Sequence, residues 1–215
     1  MIVDVVLDVV CPWCFIGKRR LERALKARPN IPVELRWRPF LLNPEIPPEG
    51  IDRSAYLLKK FGSETRVRRV YGAIADAGLT VEIDFDFDRI DKTPNTVNAH
   101  RFLLFAASQG RATEVVETLF QAYFYQGLDT GREDVLFNLG LDMGFDGDAL
   151  ERQLWSTENT DQVYEENARA HRLGINGVPA FVFNDEIVIT GAQEPEVLTR
   201  VLDVAAQLGD EPRKL

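Results

Sequence analysis

The apolar and polar positions of the chain predict a sheet that begins at its first residues. Residues 2–10 form a nearly continuous β-branched run, typical of a central strand covered on both faces, although Asp4 and Asp8 interrupt one face. A helical pattern follows over residues 15–26, and alternation over residues 33–38 predicts a second strand. Together these segments predict a β-α-β unit with a right-handed crossover.

A long helical block follows a proline-rich loop at residues 43–50. The periodicity predicts helices over residues 53–61, 64–77, 96–109, 112–125, 133–143, 148–155 and 161–173. Residues 80–90 alternate apolar and acidic positions, and we predict an extended connection with Phe85 and Phe87 packed inward. Apolar positions at helical spacing predict core residues, namely Phe102, Leu103, Phe105, Leu119, Phe120 and Phe124.

Strand character returns near the end of the chain. Residues 180–183 and 187–189 predict two strands joined by a turn at 184–186, and residues 194–208 predict a last helix. The predicted fold class is therefore α/β, with one sheet domain interrupted by a helical insertion. We assign residues 1–45 and 174–215 to the sheet domain and residues 46–173 to the inserted helical domain.

Composition and charge narrow the partners and the compartment. The net charge of −9 argues against a nucleic-acid partner, since no broad basic face could neutralise phosphates. We interpret the one basic cluster, at residues 18–26, as a solvated helix face. No segment has the roughly 20 apolar residues that span a bilayer, and the first residues lack the basic region of a signal peptide. We therefore expect a cytoplasmic protein without a membrane partner.

The two cysteines of the chain carry its clearest chemical signal. Cys11-Pro12-Trp13-Cys14 ends a predicted strand and begins a predicted helix. Unpaired N–H groups and the helix dipole favour a thiolate at that position, and a proline suits the first turn. We expect Cys11 to be an exposed nucleophile and Cys14 to be the resolving thiol one turn later.

Two other interpretations of the cysteines are less favoured. A structural zinc site needs four ligands, and neither His100 nor His171 has finger-like spacing from a second ligand, so we predict no metal. Two buried, inert cysteines are the second alternative, because such pairs also occur by chance at strand-to-helix junctions. Two cysteines in 215 residues are not a secreted disulfide framework, and dithiol redox chemistry explains them best.

A second candidate site lies where a glycine-containing loop enters the third predicted strand. Pro179 cannot donate a hydrogen bond to a sheet ladder, so its place just before residues 180–183 suits a loop held against the active site. Asp8 stands close to Cys11 in sequence and is either a proton acceptor for Cys14 or a strand-end carboxylate.

These motifs together resemble the DsbA-like thioredoxin superfamily, and most closely its FrnE-like branch. The resemblance covers nearly the whole chain and rests on DVVCPWCFIGKR at 8–19, WRPF at 37–40, NTVNAHR at 95–101, GVP at 177–179 and GAQ at 191–193. It implies a thioredoxin-like fold with a large inserted helical domain and thiol–disulfide exchange. It also implies a cis Val178–Pro179 bond that faces the dithiol.

The resemblance also suggests roles for residues around the dithiol. Val178 and Pro179, with Pro12 and Trp13 between the cysteines, would bind an extended substrate. His100 would lie in a helix that roofs the active site in this family, although a structural histidine explains it equally well. Asn98 has the same two interpretations.

The motifs and the resemblance lead to three competing hypotheses for the function. The leading hypothesis is a cytoplasmic thiol–disulfide oxidoreductase of the reductase or isomerase type, requiring no cofactor, with glutathione as a candidate co-substrate. Its partners would be a disulfide-containing protein or a small thiol, and the chain would be a monomer or a homodimer. The first alternative is a glutathione-dependent isomerase or transferase, similar to chromene-carboxylate isomerases and kappa-class transferases. The second is a non-catalytic holdase that uses an apolar groove around Trp13 and Phe40.

Overall fold

The computed structural model describes residues 1–210, and its elements follow the predicted order. They are β1 Ile2–Leu7, α1 Pro12–Lys26, β2 Glu34–Pro39, β3 Ile51–Asp52, α2 Arg53–Phe61, α3 Glu64–Leu79, β4 Lys92–Thr93, α4 Val97–Ser108, α5 Ala112–Phe124, α6 Glu133–Asp142, α7 Gly147–Leu154, α8 Thr160–Arg172, β5 Ala180–Phe183, β6 Ile187–Thr190 and α9 Pro195–Asp210. The last five residues of the predicted sheet domain, 211–215, lie outside the described residues.

The main sheet has four strands in the order β2-β1-β5-β6. β1 runs parallel to β2 and antiparallel to β5, and β5 forms a hairpin with β6. The hairpin turn contains Asn184 and Asp185, both with positive φ, which is the backbone that tight hairpin turns favour. The predicted β-α-β unit and the predicted terminal hairpin are confirmed.

The two faces of β1 differ in chemistry. Val3, Val5 and Leu7 belong to the main apolar core, whereas Val6 on the opposite face packs in a smaller cluster beneath α8. Asp4 lies on that second face and pairs with Arg38 of β2 and Arg169 of α8. The interruption of one face that the sequence predicts is therefore a buried ionic contact between the sheet and α8.

Differences from the predicted elements are small and local. β1 ends at Leu7 rather than at residue 10, because the chain turns there and the N–H of Cys11 donates to the carbonyl of Asp8 at 3.0 Å. The two-residue strands β3 and β4 were not predicted, since so short a ladder has no periodicity. Residues 80–90 contain no strand, but a 3-10 turn over Phe87–Arg89 interrupts the extended connection that we predicted. Phe85 stacks on Phe87 at 4.8 Å against the core, as predicted.

The inserted helices share one core with the sheet. The main cluster contains Phe15 of α1, Phe120 of α5 and Phe181 of β5, and the Trp37 indole of β2 donates to Thr113 of α5 at 2.8 Å. The six predicted helical core positions all pack in or against this cluster. Among residues 1–210, no helix combines the length and apolar character needed to cross a bilayer.

The prediction of a solvated basic face on α1 is wrong for two of its residues. Lys18 is only 3% exposed and Arg20 only 8%. Lys18 pairs with Glu22 at 2.5 Å and with Glu117 of α5 at 2.6 Å, while Arg20 donates to the carbonyl of Ala192 at 2.6 Å. The helix therefore uses these cations to bind neighbouring elements, because a buried ammonium or guanidinium needs such partners.

Candidate active site

Cys11 occupies the N-cap position of α1. Its backbone is extended (φ −90°, ψ 110°), and its carbonyl accepts hydrogen bonds from the N–H groups of Cys14 at 3.0 Å and Phe15 at 3.3 Å. Pro12 occupies the first turn, where its missing N–H leaves no bond unmade. Cys11 thus stands at the N-terminal end of α1, where the positive end of the helix dipole lies.

Both thiols are more buried than the sequence predicts. Cys11 is 5% exposed and Cys14 is 2% exposed, so the expectation of an exposed Cys11 is wrong. Trp13 between them is 38% exposed and forms part of the surface beside Cys11. Little of Cys11 is therefore accessible to a substrate, while the adjacent residue Trp13 is partly exposed.

The two cysteines are present as thiols and lie within hydrogen-bonding reach of each other. Burial raises the pKa of Cys14 well above its ordinary value, and the hydrogen bond and charge of Cys11 add to the increase. The charge of Asp8 acts in the same direction, while a hydrogen bond with the Asp8 backbone opposes it. Cys14 therefore holds its proton at neutral pH.

The loop before β5 meets the dithiol through its backbone. The Val178–Pro179 peptide bond is cis, and the Cys11 sulfur lies 3.6 Å from the carbonyl oxygen of Val178, to which it donates. The carbonyl of Pro179 accepts from the N–H of Gly191 at 2.7 Å, just after β6. The structure thus brings together the two segments that the sequence analysis singled out separately.

Gly17 is a site residue that the sequence analysis did not identify. A Cβ atom added to it would lie 2.8 Å from Cγ of Pro179 and 3.3 Å from the ring of Phe181. The absence of a side chain at this position of α1 lets the proline ring rest directly on the helix that carries the cysteines. A glycine inside a helix, where it costs stability, was the signal in the sequence.

Asp8 and His100 form a buried polar pair. Asp8 is 1% exposed and His100 is fully buried. One oxygen of Asp8, Oδ2, accepts from the N–H of Leu42 at 2.8 Å, and the other, Oδ1, lies 3.5 Å from Nε2 of His100. The same Nε2 lies 3.1 Å from the carbonyl oxygen of Phe40.

The side chains of the other two predicted site residues, Phe40 and Asn98, make structural contacts. Phe40 is 3% exposed and packs beneath α8, so it does not line an exposed groove with Trp13 as the holdase hypothesis requires. The side-chain amide of Asn98 donates to Gly131 and Glu133. These hydrogen bonds connect the start of α4 to the start of α6 and include neither cysteine.

Comparison with known proteins places this geometry in a family. Residues 2–203 match the model of the DSBA-like thioredoxin domain. The chain belongs to this family. It is also similar to the uncharacterized protein YwbO of Bacillus subtilis, with 28% identity over 203 residues, which cover 93% of this chain and 94% of that protein.

Several solved structures have a similar fold. A probable DsbA oxidoreductase from Streptomyces coelicolor superposes with a TM-score of 0.91 at 28% identity, covering 100% of this chain and 93% of that one. A 2-hydroxychromene-2-carboxylate isomerase has a TM-score of 0.71 at 17% identity, with 97% and 96% covered. The cytosolic disulfide reductase DsbM from Pseudomonas aeruginosa, with GSH, has a TM-score of 0.65 at 15% identity, with 96% and 100% covered. The last two likenesses show the fold alone.

Proposed function

We propose that this protein is a thiol–disulfide oxidoreductase of the reductase or isomerase type that acts through Cys11 and Cys14. One observation carries the proposal: the Cys11 sulfur lies at the start of α1 and 3.6 Å from the carbonyl of Val178, with Cys14 within reach one turn later. A nucleophile, a resolving thiol and a backbone edge for a substrate therefore meet at one point. Membership in the DsbA-like family supports the same chemistry.

The reaction would consist of two exchanges. The Cys11 thiolate attacks a substrate disulfide, forms a bond to one substrate sulfur and releases the other as a thiolate, which takes up a proton. Cys14 then loses its proton, which we assign to Asp8, and attacks the Cys11 sulfur. The second substrate sulfur leaves as a thiolate and receives that proton, so the substrate disulfide gains two electrons and the dithiol becomes a disulfide.

The substrate would bind along the loop before β5. An extended peptide that carries a disulfide can form strand-like hydrogen bonds with the backbone of Val178, while the Pro179 ring keeps a reactive side chain away from Cys11. Pro12 and the exposed indole of Trp13 would contact the substrate on the other side. A disulfide-bearing protein and a small disulfide both fit this description.

We assign the activity to a reducing compartment, the cytoplasm. Two cysteines in 215 residues agree with a protein that does not depend on structural disulfides. A reducing glutathione pool would keep Cys11 and Cys14 mostly as thiols and would regenerate them after each turnover. The cytosolic disulfide reductase DsbM, which has the same fold, agrees with this assignment.

Reduction of insulin disulfides tests the proposal. We expect the wild-type protein to reduce insulin with dithiothreitol as the final reductant, Cys11→Ser to be inactive, and Cys14→Ser to accumulate a mixed disulfide with the substrate. Titration of the dithiol against glutathione buffers then separates a reductant from an isomerase by its potential. A wild-type rate equal to that of Cys11→Ser would reject the proposal.

Pro179→Ala tests the assignment of the substrate loop. Without the ring between substrate and dithiol, we expect mixed disulfides to persist and turnover to fall, with little change in the free energy of unfolding. Mass spectrometry of the quenched reaction measures the trapped complex. Turnover equal to that of the wild type would remove this loop from the mechanism.

A glutathione-dependent isomerase or transferase is the second candidate. The solved structure of DsbM with GSH and the fold of the chromene-carboxylate isomerase favour it. In this chain the segment after Gly191 is Ala192-Gln193, without the acidic residue that the resemblance leads us to expect for a glutathione site. Calorimetry with Cys11→Ser separates the two functions, because saturable glutathione binding that survives this change would support the second.

A further inference from the structure

The buried pair of Asp8 and His100 has two polar atoms that no hydrogen bond satisfies. Oδ1 of Asp8 and Nδ1 of His100 are both fully enclosed and have no hydrogen-bond partner. A buried polar atom without a hydrogen bond lowers the stability of the fold. Such atoms are rare in native proteins, and a catalytic role is one reason for retaining them. Asp8 is close enough to Cys14 for its charge to raise the pKa of that thiol.

The contacts of His100 determine where its proton resides. Nε2 faces two acceptors, the carbonyl of Phe40 at 3.1 Å and Oδ1 of Asp8 at 3.5 Å. A hydrogen on Nε2 therefore finds a partner, whereas a hydrogen on Nδ1 would be a buried donor with none. This arrangement favours the neutral ring with its hydrogen on Nε2, bonded to the carbonyl of Phe40 and 3.5 Å from the Asp8 carboxylate.

We propose that His100 is a positioning residue for the dithiol: its Nε2–H, 3.5 Å from Oδ1, together with the N–H of Leu42 on Oδ2, orients the Asp8 carboxylate to accept the proton of Cys14. This inference rests on the proposed function. The two N–H groups face different oxygens of the carboxylate, that of Leu42 at 2.8 Å from Oδ2 and that of His100 at 3.5 Å from Oδ1. His100 itself neither gains nor loses a proton in the step.

The proton transfer balances within the site. The Cys14 thiol gives its proton to Asp8, the resulting thiolate displaces the substrate sulfur from Cys11, and Asp8 returns the proton to the departing thiolate. When Asp8 is protonated, Nε2–H of His100 retains its shorter bond to the carbonyl of Phe40. The imidazole therefore remains in place through both states of Asp8.

Other titratable groups face the pair from the elements packed around it. Cys14 faces it from α1, and Tyr123 of α5 senses the charge of Asp8. Burial raises the pKa of Tyr123, so its phenol remains neutral. His171 of α8 contacts the opposite side of Phe40, with ring centroids 5.2 Å apart, and is solvent-exposed. Of these, only Cys14 changes protonation in the proposed step.

A matched pair of variants tests the role of Nε2–H. The amide nitrogen of His100→Gln can occupy the position of Nε2, whereas that of His100→Asn reaches only the position of Nδ1. The reduced protein is mixed with an aromatic disulfide whose released thiolate is coloured, so that attack by Cys11 gives a first phase and resolution by Cys14 gives a second. The rate of the second phase is recorded as a function of pH.

We expect His100→Asn to shift the midpoint of this pH profile upward by about one unit and to slow resolution at lower pH by about tenfold. His100→Gln should keep the wild-type midpoint, and Asp8→Asn should remove the pH dependence assigned to Asp8. His171→Gln controls for the second histidine and should change neither. An unchanged midpoint in His100→Asn, or an equal shift in both His100 variants, would overturn the proposal.

Two further readouts keep the outcome interpretable. A wild-type protein that releases no second coloured thiolate contradicts the proposed function itself, whereas two normal phases with an unshifted His100→Asn profile contradict only the role of His100. Should both His100 variants fail to fold, nitrogen NMR of the wild type reports the tautomer directly. A hydrogen on Nδ1 of His100 would then reject the inference.

Discussion

At the scale of single residues, the contrast between the two cysteines sets the order of events. Cys11 lies at the helix start and touches the Val178 carbonyl, whereas Cys14 lies deeper and its pKa is raised, first by burial. A thiol that holds its proton does not compete for the incoming disulfide. Resolution therefore waits until Cys11 has formed a mixed disulfide and a base has taken the Cys14 proton.

Alkylation of single-cysteine variants checks this contrast. In Cys11→Ser we expect Cys14 to react slowly with iodoacetamide at neutral pH and to become reactive only in alkaline solution, because burial keeps it protonated. In Cys14→Ser we expect Cys11 to react faster, at every pH, than Cys14 reacts in Cys11→Ser. Mass spectrometry gives both rates, and the two should converge in denaturant. Equal rates in the folded variants would contradict the assignment of nucleophile and resolving thiol.

Gly17 provides a second prediction at this scale. The Cβ atom of Gly17→Ala would press on the Pro179 ring at 2.8 Å, so we expect the free energy of unfolding to fall by about 1–3 kcal/mol and disulfide reduction to slow roughly tenfold or more. The matched control is Gly72→Ala in α3, where no atom lies within 4 Å of the added carbon. That variant should gain about 0.5–1 kcal/mol and keep its activity.

Chemical denaturation and the insulin assay measure both glycine variants. The prediction fails if Gly17→Ala and Gly72→Ala have the same activity, since the close approach of Pro179 would then have no consequence.

At the dithiol, sequence reasoning found the residues that carry the chemistry and missed a glycine that the packing requires. Cys11, Cys14 and the Val178–Pro179 bond carry recognisable motifs, and the structure brings them together. Gly17 was overlooked because its constraint comes from a segment that is distant in sequence. The burial of Phe40 could not be predicted for the same reason, since α8 covers it.

At the scale of elements, α1 is fixed by charge as well as by apolar packing. Lys18 and Arg19 both contact Glu117 of α5, and Gln121 donates to the same carboxylate at 2.7 Å. Burial opposes the charge of Glu117, but hydrogen bonds from these partners outweigh it and hold its pKa below the ordinary value. Glu117 thus stabilises the position of the helix that carries the dithiol.

Glu117→Gln should reduce the free energy of unfolding by about 1–3 kcal/mol at neutral pH, since Lys18 then keeps the Glu22 carboxylate but loses that of Glu117. A lowered pKa in the folded state gives stability above the ordinary pKa of the carboxyl and loses it as pH falls through the lowered value. The difference between wild type and variant should therefore shrink below about pH 4.

Urea denaturation across pH measures this difference. Glu114→Gln on the same helix is the control, because its exposed pair with Arg111 should contribute less than about 1 kcal/mol. If the difference in free energy of unfolding between wild type and Glu117→Gln stayed constant as the pH was lowered, the effect would not be ionic in origin.

The limits of sequence reasoning are visible at this scale too. Periodicity located α2 to its end residues and found every helix from α1 to α9, since each has an apolar face that repeats. It misassigned the cations of α1 because residue type alone does not reveal that Glu117 lies opposite them. A charged helix face looks the same in sequence whether water or a carboxylate meets it.

At the scale of the whole molecule, the sheet and the inserted helices share one apolar core. Phe15, Phe120 and Phe181 come from both sides of the predicted boundaries at residues 45 and 174, and all three are fully buried. Asp4 on β1 also pairs with Arg169 of α8 across the same boundary. Because both parts contribute to one core, separating them would expose apolar side chains of each and would cost a large free energy.

We therefore predict that residues 1–45, 46–173 and the closing segment unfold in one cooperative transition. Trp37 is the reporter of choice, since it is 4% exposed and its indole joins β2 to α5. In a protein with Trp13→Phe and Trp155→Phe, the Trp37 fluorescence midpoint in urea should coincide with the far-ultraviolet circular dichroism midpoint, which reports the helices. Two separate midpoints would show that the insertion folds as a domain of its own.

The near-complete enclosure of Cys11 has a consequence for the choice of substrate. With 5% of the residue accessible, a disulfide set flush into a rigid surface cannot approach closely enough for in-line attack. A bond carried on a loose loop, on an unfolded chain or on a small molecule can enter. By geometry alone, such an enzyme would spare the buried disulfides of folded proteins and would act on disulfides that remain accessible.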